Sequence, residues 1–349
     1  MSRVKSIQVQ NIRSHGVYTL TPNENVTVIT GKNGSGKTTL LEAIYSGLRG
    51  TSFKGSDKEM LQNGSTWWRV DITFGDDQRV IKFDPSRQTG KKQFIVDEKT
   101  TYRLPMKSKF PVILFEPDDL RLINGSPARR RKFIDTLIGQ LDPLYGASLR
   151  KYERGLKQRN NLLKTALKTG IVNQDELFAW DVLLADNGAY LISQRLQYST
   201  LLANDIQGLY KAISGTDDTV TLSYSQVYLK DIKQTLLNEL HASRQKDMYT
   251  GNTSVGPHRH DIIFSLNNTP AAAVASRGET RTIILALKFL EVFLTEDHTN
   301  KKPIILLDDV FSELDPGRQK LLTEYLKDYQ IIITSATSFA DTRFLHVEL

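Results

Sequence analysis

The chain has 349 residues, 39% of them hydrophobic and 24% charged, with a formal charge of +7. That is room for one large domain or two ordinary ones, with the balance of a globular protein and no apolar run long enough to cross a bilayer. With no cysteine, a disulfide framework, a thiolate metal site and a cysteine nucleophile are all excluded. A pI near 9.3 invites a polyanionic partner, and the charge is concentrated. Residues 121–170 hold twelve Lys/Arg against three acids (12 − 3 = +9), more than the excess of the whole chain.

In chain order, Met1-Ser2-Arg3-Val4-Lys5 leads directly into an alternating strand, so no signal peptide is expected, and a reducing cytoplasm suits the composition. Within Ser6–Ile12 the alternation sets Ile7, Val9 and Asn11 against Gln8, Gln10 and Ile12. Val26–Thr30 is an apolar, β-branched run that reads as a buried strand. Gly31-Lys32-Asn33-Gly34-Ser35-Gly36-Lys37-Thr38 follows and fits G-x-x-x-x-G-K-[ST] at every fixed position. Thr39–Ile44 then reads as a helix. Strand, glycine loop and helix together are the context a phosphate-binding loop requires. The glycines let backbone N–H groups curl toward phosphate oxygens, and the helix adds its positive end. Lys37 has the reach for the β- and γ-phosphates, and the Thr38 hydroxyl is a Mg²⁺ ligand. Strands are expected at 68–74, 79–83 and 93–96, separated by turn signals, as an antiparallel patch beside a parallel sheet.

From 114 the pattern becomes helical. Ser126 with Pro127 is an N-cap followed by proline at the first helical position. Helices are expected onward to about 165, from about 174 to 213 and near 230–243, with a short strand at 220–224. From 251 the chain returns to α/β, with a strand at 261–266. Ser276-Arg277-Gly278-Glu279 opens a helix and spells a capping box; its amides and the Ser276 hydroxyl are also suited to a γ-phosphate. The strand 303–309 ends in Asp308 and Asp309. Beside a phosphate loop, Asp308 is placed to hold Mg²⁺ and Asp309 to orient the attacking water. A helix from Pro316 to about 328 and a last core strand at 331–335 complete the chain. Arg129-Arg130-Arg131-Lys132 is a candidate contact for DNA phosphates, weighed against a solvated helix face and internal salt bridges. No base-reading motif is visible. His258, His260 and Asp261 are too few for a metal site; His258 is expected to pack or hydrogen-bond near the nucleotide region, and Trp67-Trp68 to pack against a sheet.

Taken together, the phosphate loop, the Ser-x-Gly-Glu helix start, the strand with paired acids and the following Leu314-Asp315 resemble an ABC-type ATPase of the SMC/RecF class. More specific similarity is to the RecF family of bacterial DNA replication and repair proteins. It is carried by Gln10-Asn11-Ile12-Arg13-Ser14, by Val112–Leu120 (VILFEPDDL), by Gly125-Ser126-Pro127 with Arg129–Arg131, by Gly256-Pro257-His258-Arg259 and by Leu306–Asp315 (LLDDVFSELD). The resemblance implies an ABC-type P-loop ATPase head, a mixed sheet with an antiparallel subdomain, formed by residues 1–113 and 251–349, with a mainly helical lobe inserted at 114–250. It implies ATP and Mg²⁺ as cofactors and nucleotide contacts from Arg13 and Gly31–Thr39. It also implies a head-to-tail homodimer in which Ser276, Gly278 and Glu279 of one copy meet the nucleotide of the other, with Lys37 and Asp309 in catalysis and Thr38 and Asp308 on the metal. The implied function is slow, switch-like ATP hydrolysis and binding to duplex and gapped DNA, helping load RecA with RecO and RecR in the cytoplasm at the nucleoid. Departures from the family pattern are His260 in place of Asp, Thr280 in place of Gln, and Thr334-Ser335 where many ABC transporters carry a histidine. Two rival functions are an ABC-type ATPase acting on a protein partner without touching DNA, and a P-loop kinase of a small molecule.

Overall fold

A computed structural model describes residues 3–228, 231–336 and 344–349. Met1, Ser2 and residue 230, where a helix was expected to begin, lie outside the described residues. In chain order the strands are β1 Val4–Ile12, β2 His15–Leu20, β3 Val26–Thr30, β4 Trp68–Phe74, β5 Asp77–Phe83, β6 Lys92–Val96, β7 Lys99–Thr101, β8 Val112–Phe115, β9 Val220–Tyr224, β10 Ile262–Leu266, β11 Thr269–Pro270, β12 Ile304–Asp308, β13 Ile331–Ser335 and β14 Leu345–Glu348. The helices are α1 Lys37–Arg49, α2 Pro127–Leu141, α3 Pro143–Thr169, α4 Gln174–Ser214, α5 Ile232–Ala242, α6 Arg244–Thr250, α7 Ala271–Val274, α8 Arg277–Thr299 and α9 Pro316–Tyr325.

The chain divides into two compact units, one made of 1–120 with 291–349 and one of 121–290. The expected lobes changed at 113/114 and 250/251. The observed changes fall later, the second because β9 pairs with β10, Ile262 opposite Tyr224, which ties residues beyond 251 to the helical segment.

The first unit holds two sheets. One is antiparallel, in the order β2-β1-β4-β5-β6-β7; the other is parallel, in the order β14-β3-β13-β12-β8. The antiparallel patch beside a parallel sheet is thus present. The central strands β3, β12 and β13 are buried on both faces, which is why they read as unbroken apolar runs rather than alternations. Helix α1 packs against strands of both sheets, and Leu40, Leu41, Ile44 and Leu48 join a core with Ile7, Val9, Trp68, Ile72 and Ile332. One detail of β1 departs from its alternation. Asn11 sits at φ 56°, and this left-handed step turns Ile12 into the core, fully buried. Trp68 is also fully buried, stacked 5.7 Å from Phe83, whereas Trp67 stays 41% exposed at the sheet margin.

The second unit is built on α3 and α4, helices of 27 and 41 residues, with a small sheet in the order β11-β10-β9. Its interior is polar at two points. Arg159, fully buried, donates from Nε to Asp181 at 2.7 Å, and from Nη1 to Asp247 at 2.7 Å and Thr253 at 2.9 Å. Arg244 adds a second cation to Asp181 at 2.8 Å. Nearby in sequence, the segment 256–261 is held by three arginines: Arg195 donates to the Pro257 carbonyl, Arg131 to the His260 carbonyl and Arg130 to Asp261. Among the described residues no helix is long and apolar enough to cross a membrane.

Candidate functional site

The loop after β3 owes its shape to glycine. Gly36 has φ 100°, a region closed to most side chains, and a Cβ there would lie 2.2 Å from His15 Nε2 and 2.3 Å from Ser14 Oγ. Gly34, at φ 86°, faces open space instead. Helix α1 starts at Lys37 with no side-chain cap and no acid in its first turn. Its leading amides are therefore left for an outside acceptor, and its positive end is not neutralised. The Lys37 ammonium folds back over the loop and donates to the carbonyls of Gly31 at 2.6 Å and Lys32 at 3.0 Å. Ser35 Oγ is buried with no hydrogen-bond partner.

Parallel pairing of β12 with β13, and of β13 with β3, brings the two ends of the chain together. Asp308 faces Thr334 across that ladder. Its Oδ1 accepts from Thr38 Oγ1 at 2.7 Å and from Thr334 Oγ1 at 2.8 Å. Asp308 is buried, and no cation pairs with it among the described residues. A buried carboxylate with hydroxyl partners alone lacks the counter-charge that burial demands. Together with the uncapped helix start and the orphaned Ser35 hydroxyl, it is a donor set that fits a polyphosphate with a divalent cation on Thr38 and Asp308.

Asp309 is placed differently. Its φ of 53° is left-handed, and its amide donates to Thr334 Oγ1 at 3.0 Å. Ser312 Oγ donates to its carbonyl at 2.7 Å. These bonds anchor the backbone, and Ser312 Oγ also reaches the Asp309 carboxylate at 3.4 Å. Asp308, Asp309, Thr334, Arg13, Ser14, Lys54 and the loop residues Asn33, Gly34 and Gly36–Thr39 line one cavity of about 320 Å³. Arg13, also left-handed at φ 46°, is tied to the fully buried Glu42 at 2.9 Å, and Ser52 bonds the same carboxylate.

Ser14, Lys54 and Thr334 are cavity residues that sequence reasoning did not single out as site residues. Thr334 is the position of β13 that faces Asp308. A lone lysine in a loop gives no signal.

The other candidate residues lie in the second unit. Ser276 and Glu279 form the capping box they spell: the Ser276 amide donates to Glu279 Oε2 at 2.7 Å and the Glu279 amide to Ser276 Oγ at 3.2 Å. Gly278 lies in the same first turn, where its carbonyl accepts from Thr282 Oγ1. In the basic run, Arg130 grips Asp261 with Nε at 2.8 Å and Nη2 at 2.7 Å, and its Nη1 donates to the carbonyls of Leu122, Ile123 and Gly125. Arg131 donates to the His260 carbonyl at 2.8 Å. Both therefore act as internal clamps, the outcome weighed against DNA contact, while Lys132 is exposed and Arg129 partly so.

Both histidines are occupied as well. His258 Nδ1 bonds Tyr152 Oη at 2.7 Å, and Nε2 the Thr253 carbonyl at 3.1 Å. His260 Nδ1 bonds Tyr224 Oη at 2.8 Å. Burial pushes both imidazoles down to about 4, and no cluster of metal-ligating side chains occurs among the described residues.

Comparison with known proteins agrees with this architecture. A family model described as an AAA domain matches residues 6–245. The chain is 34% identical to the DNA replication and repair protein RecF of Agathobacter rectalis, over 98% of this chain and 94% of that protein. It is 35% identical to RecF of Streptococcus uberis, over 96% and 93% of the two chains. The chain belongs to the RecF family of DNA replication and repair proteins. A solved structure of the recombination mediator RecF with ATP, from the RecFOR pathway, matches at a TM-score of 0.86 and 31% identity, covering 98% of this chain and 93% of that one. An Smc head domain from Pyrococcus furiosus matches at 0.51 and 15% identity, over 97% and 90%, and shares the fold. This RecF-family chain is thus an α/β protein with an ABC-type ATPase head, in which the expected mixed sheet is instead one parallel and one antiparallel sheet, and a mainly helical lobe.

Proposed function

We propose that this chain is an ATP-gated DNA-binding switch of recombinational repair and replication restart. ATP with Mg²⁺ closes a head-to-tail dimer on DNA, and slow hydrolysis releases it. The ATPase head comprises residues 1–120 with 291–349. Gly31–Thr39 cradle the phosphates through backbone amides, Lys37 neutralises them and Arg13 adds a cation at the rim. Thr38 and Asp308 hold Mg²⁺, whose bound charge offsets that building on the phosphates. Asp309 orients water at the outer end of the cavity. Ser276, Gly278 and Glu279 of a second copy complete the site. A capped Ser276 still has its hydroxyl proton to donate, because its oxygen only accepts from the Glu279 amide. The wider role is binding to duplex and gapped DNA, at junctions of single and double strands. There the protein helps load RecA with RecO and RecR, in the cytoplasm at the nucleoid.

One observation carries this reading: a buried, cation-free Asp308 beside Thr38 at the head of a glycine loop. Membership of the RecF family and the likeness to an ATP-bound RecF support it. The test is size-exclusion chromatography with Mg²⁺ and ATP or ADP, followed by capture of gapped DNA. ATP alone is expected to give both dimer and DNA complex. Ser276→Arg is expected to bind ATP yet stay monomeric. An ATP-dependent dimer of that variant would remove the second copy from the site.

A further inference from the structure

We infer that the outward stripe of α3 is the surface that receives the backbone of the duplex DNA proposed above. The inference rests on the DNA-binding reading above and identifies where on the chain it is carried out. Helix α3 buries Tyr145, Tyr152, Gly155, Arg159, Leu163 and Ala166. Arg150, Arg154, Lys157, Asn161, Lys164 and Lys168 are partly or fully exposed and follow one another at alternating spacings of four and three. At 3.6 residues per turn they fall in one narrow stripe, roughly opposite the buried face. From Arg150 to Lys168 the stripe is about 27 Å long at 1.5 Å per residue.

The chemistry of the stripe is one-sided. The only acid on α3 is Glu153, at the margin beside Arg150, where burial raises its pKa. None of the five cations is in an ion pair among the described residues. Arg159 on the same helix, and Arg130 and Arg131 on α2, are instead consumed by internal partners. Like charges four apart on a helix repel one another, so the stripe opposes its own helix until a polyanion covers it.

One further feature favours duplex over single strand. The aromatic residues of α3, Tyr145 and Tyr152, are both buried, so no side chain on the stripe offers a stacking platform for unpaired bases. The stripe offers charge alone, suited to phosphates. Contacts of this kind position a backbone without reading bases.

The test is Arg154→Ala with Lys157→Ala, both exposed, assayed with ATP on a fluorescent duplex and on a single strand of equal length across a salt series. Dimerisation by ATP serves as the folding control. The double variant should hold duplex at least about tenfold more weakly, with the log–log salt slope shallower by about 2, near 0.9 per lost phosphate contact. A second pair, Arg150→Ala with Lys168→Ala, should do the same. If wild type binds duplex and both variants bind it with unchanged affinity and slope, the stripe does not touch DNA and the inference fails. A loss confined to single strands overturns the duplex assignment. If wild type itself ignores DNA with ATP at low salt, the function proposed above falls, and the stripe with it.

Discussion

Two buried polar clusters, one in each unit, use the same residue types to opposite ends. In the helical unit, Arg159 is surrounded by Asp181, Asp247 and Thr253, with Arg244 completing the charge balance. In the other unit, Asp308 has two threonine hydroxyls and no cation among the described residues, and Lys37 rests on carbonyl oxygens. The first cluster is closed in charge, with Arg159 Nη2 left without a hydrogen bond, and serves stability. The second is open and holds groups ready for a ligand. Burial alone therefore does not identify a functional charge; what separates the two is whether the opposite charge is already in place.

The sharpest way to break this contrast is Arg159→Ala. It leaves two buried carboxylates without their shared cation, so about 3–5 kcal/mol of unfolding free energy should disappear. Urea denaturation measures it; a loss under about 1 kcal/mol, as at an exposed pair, would mean the cluster is not closed. Lys37→Ala should do the reverse. Stability should stay put, while nucleotide affinity drops by about 1.5–3 kcal/mol, or roughly 10- to 150-fold, as a charge-assisted contact is lost; titration with a fluorescent ATP analogue reads this out.

Acid should act on the helical unit in a graded way. His258 and His260 titrate near 4 when folded, against about 6.5 when unfolded. Above 6.5 both states are neutral and native stability is complete. As pH falls from 6.5 toward 4 the unfolded chain takes up protons that the folded chain refuses, so stability drops and then levels off. His260→Gln should flatten this dependence in melting experiments at stepped pH; an unchanged slope would clear that imidazole. The smallest effect belongs to the cap. Ser276→Ala should cost about 1 kcal/mol of stability, and Ser276→Thr should recover most of it; equal melting of all three would mean the cap contributes nothing.

How much of this was legible in the sequence differs by region for physical reasons. Core strands and the phosphate loop carry local signals, an apolar run and a glycine spacing, that fold in place. The tie between Thr38 and Asp308 is a contact between residues 270 positions apart, and it was expected only because motif chemistry demands it. For Arg130 and Arg131 internal salt bridges were one open reading, but the partners were not legible: Asp261 and the His260 carbonyl lie some 130 residues away. The basic stripe of α3 was counted as charge but not seen as a face, because its spacing becomes a line only once the buried side of the helix is known. Strand β14 is not legible because the alternation of Leu345-His346-Val347-Glu348 is only four residues long, and its pairing with β3 makes it a strand.

The left-handed backbone at Asp309 has a consequence for mutational screening. That conformation tolerates glycine, asparagine and aspartate and penalises nearly everything else. A saturation library at this codon, sorted only for soluble expression, should therefore enrich Gly and Asn, the two substitutes that keep the chain's path and delete the carboxylate. Survivors of such a sort would be well folded and unable to perform an acid's task, so at this codon an abundance score would rank as mild the very changes an activity assay would rank as severe.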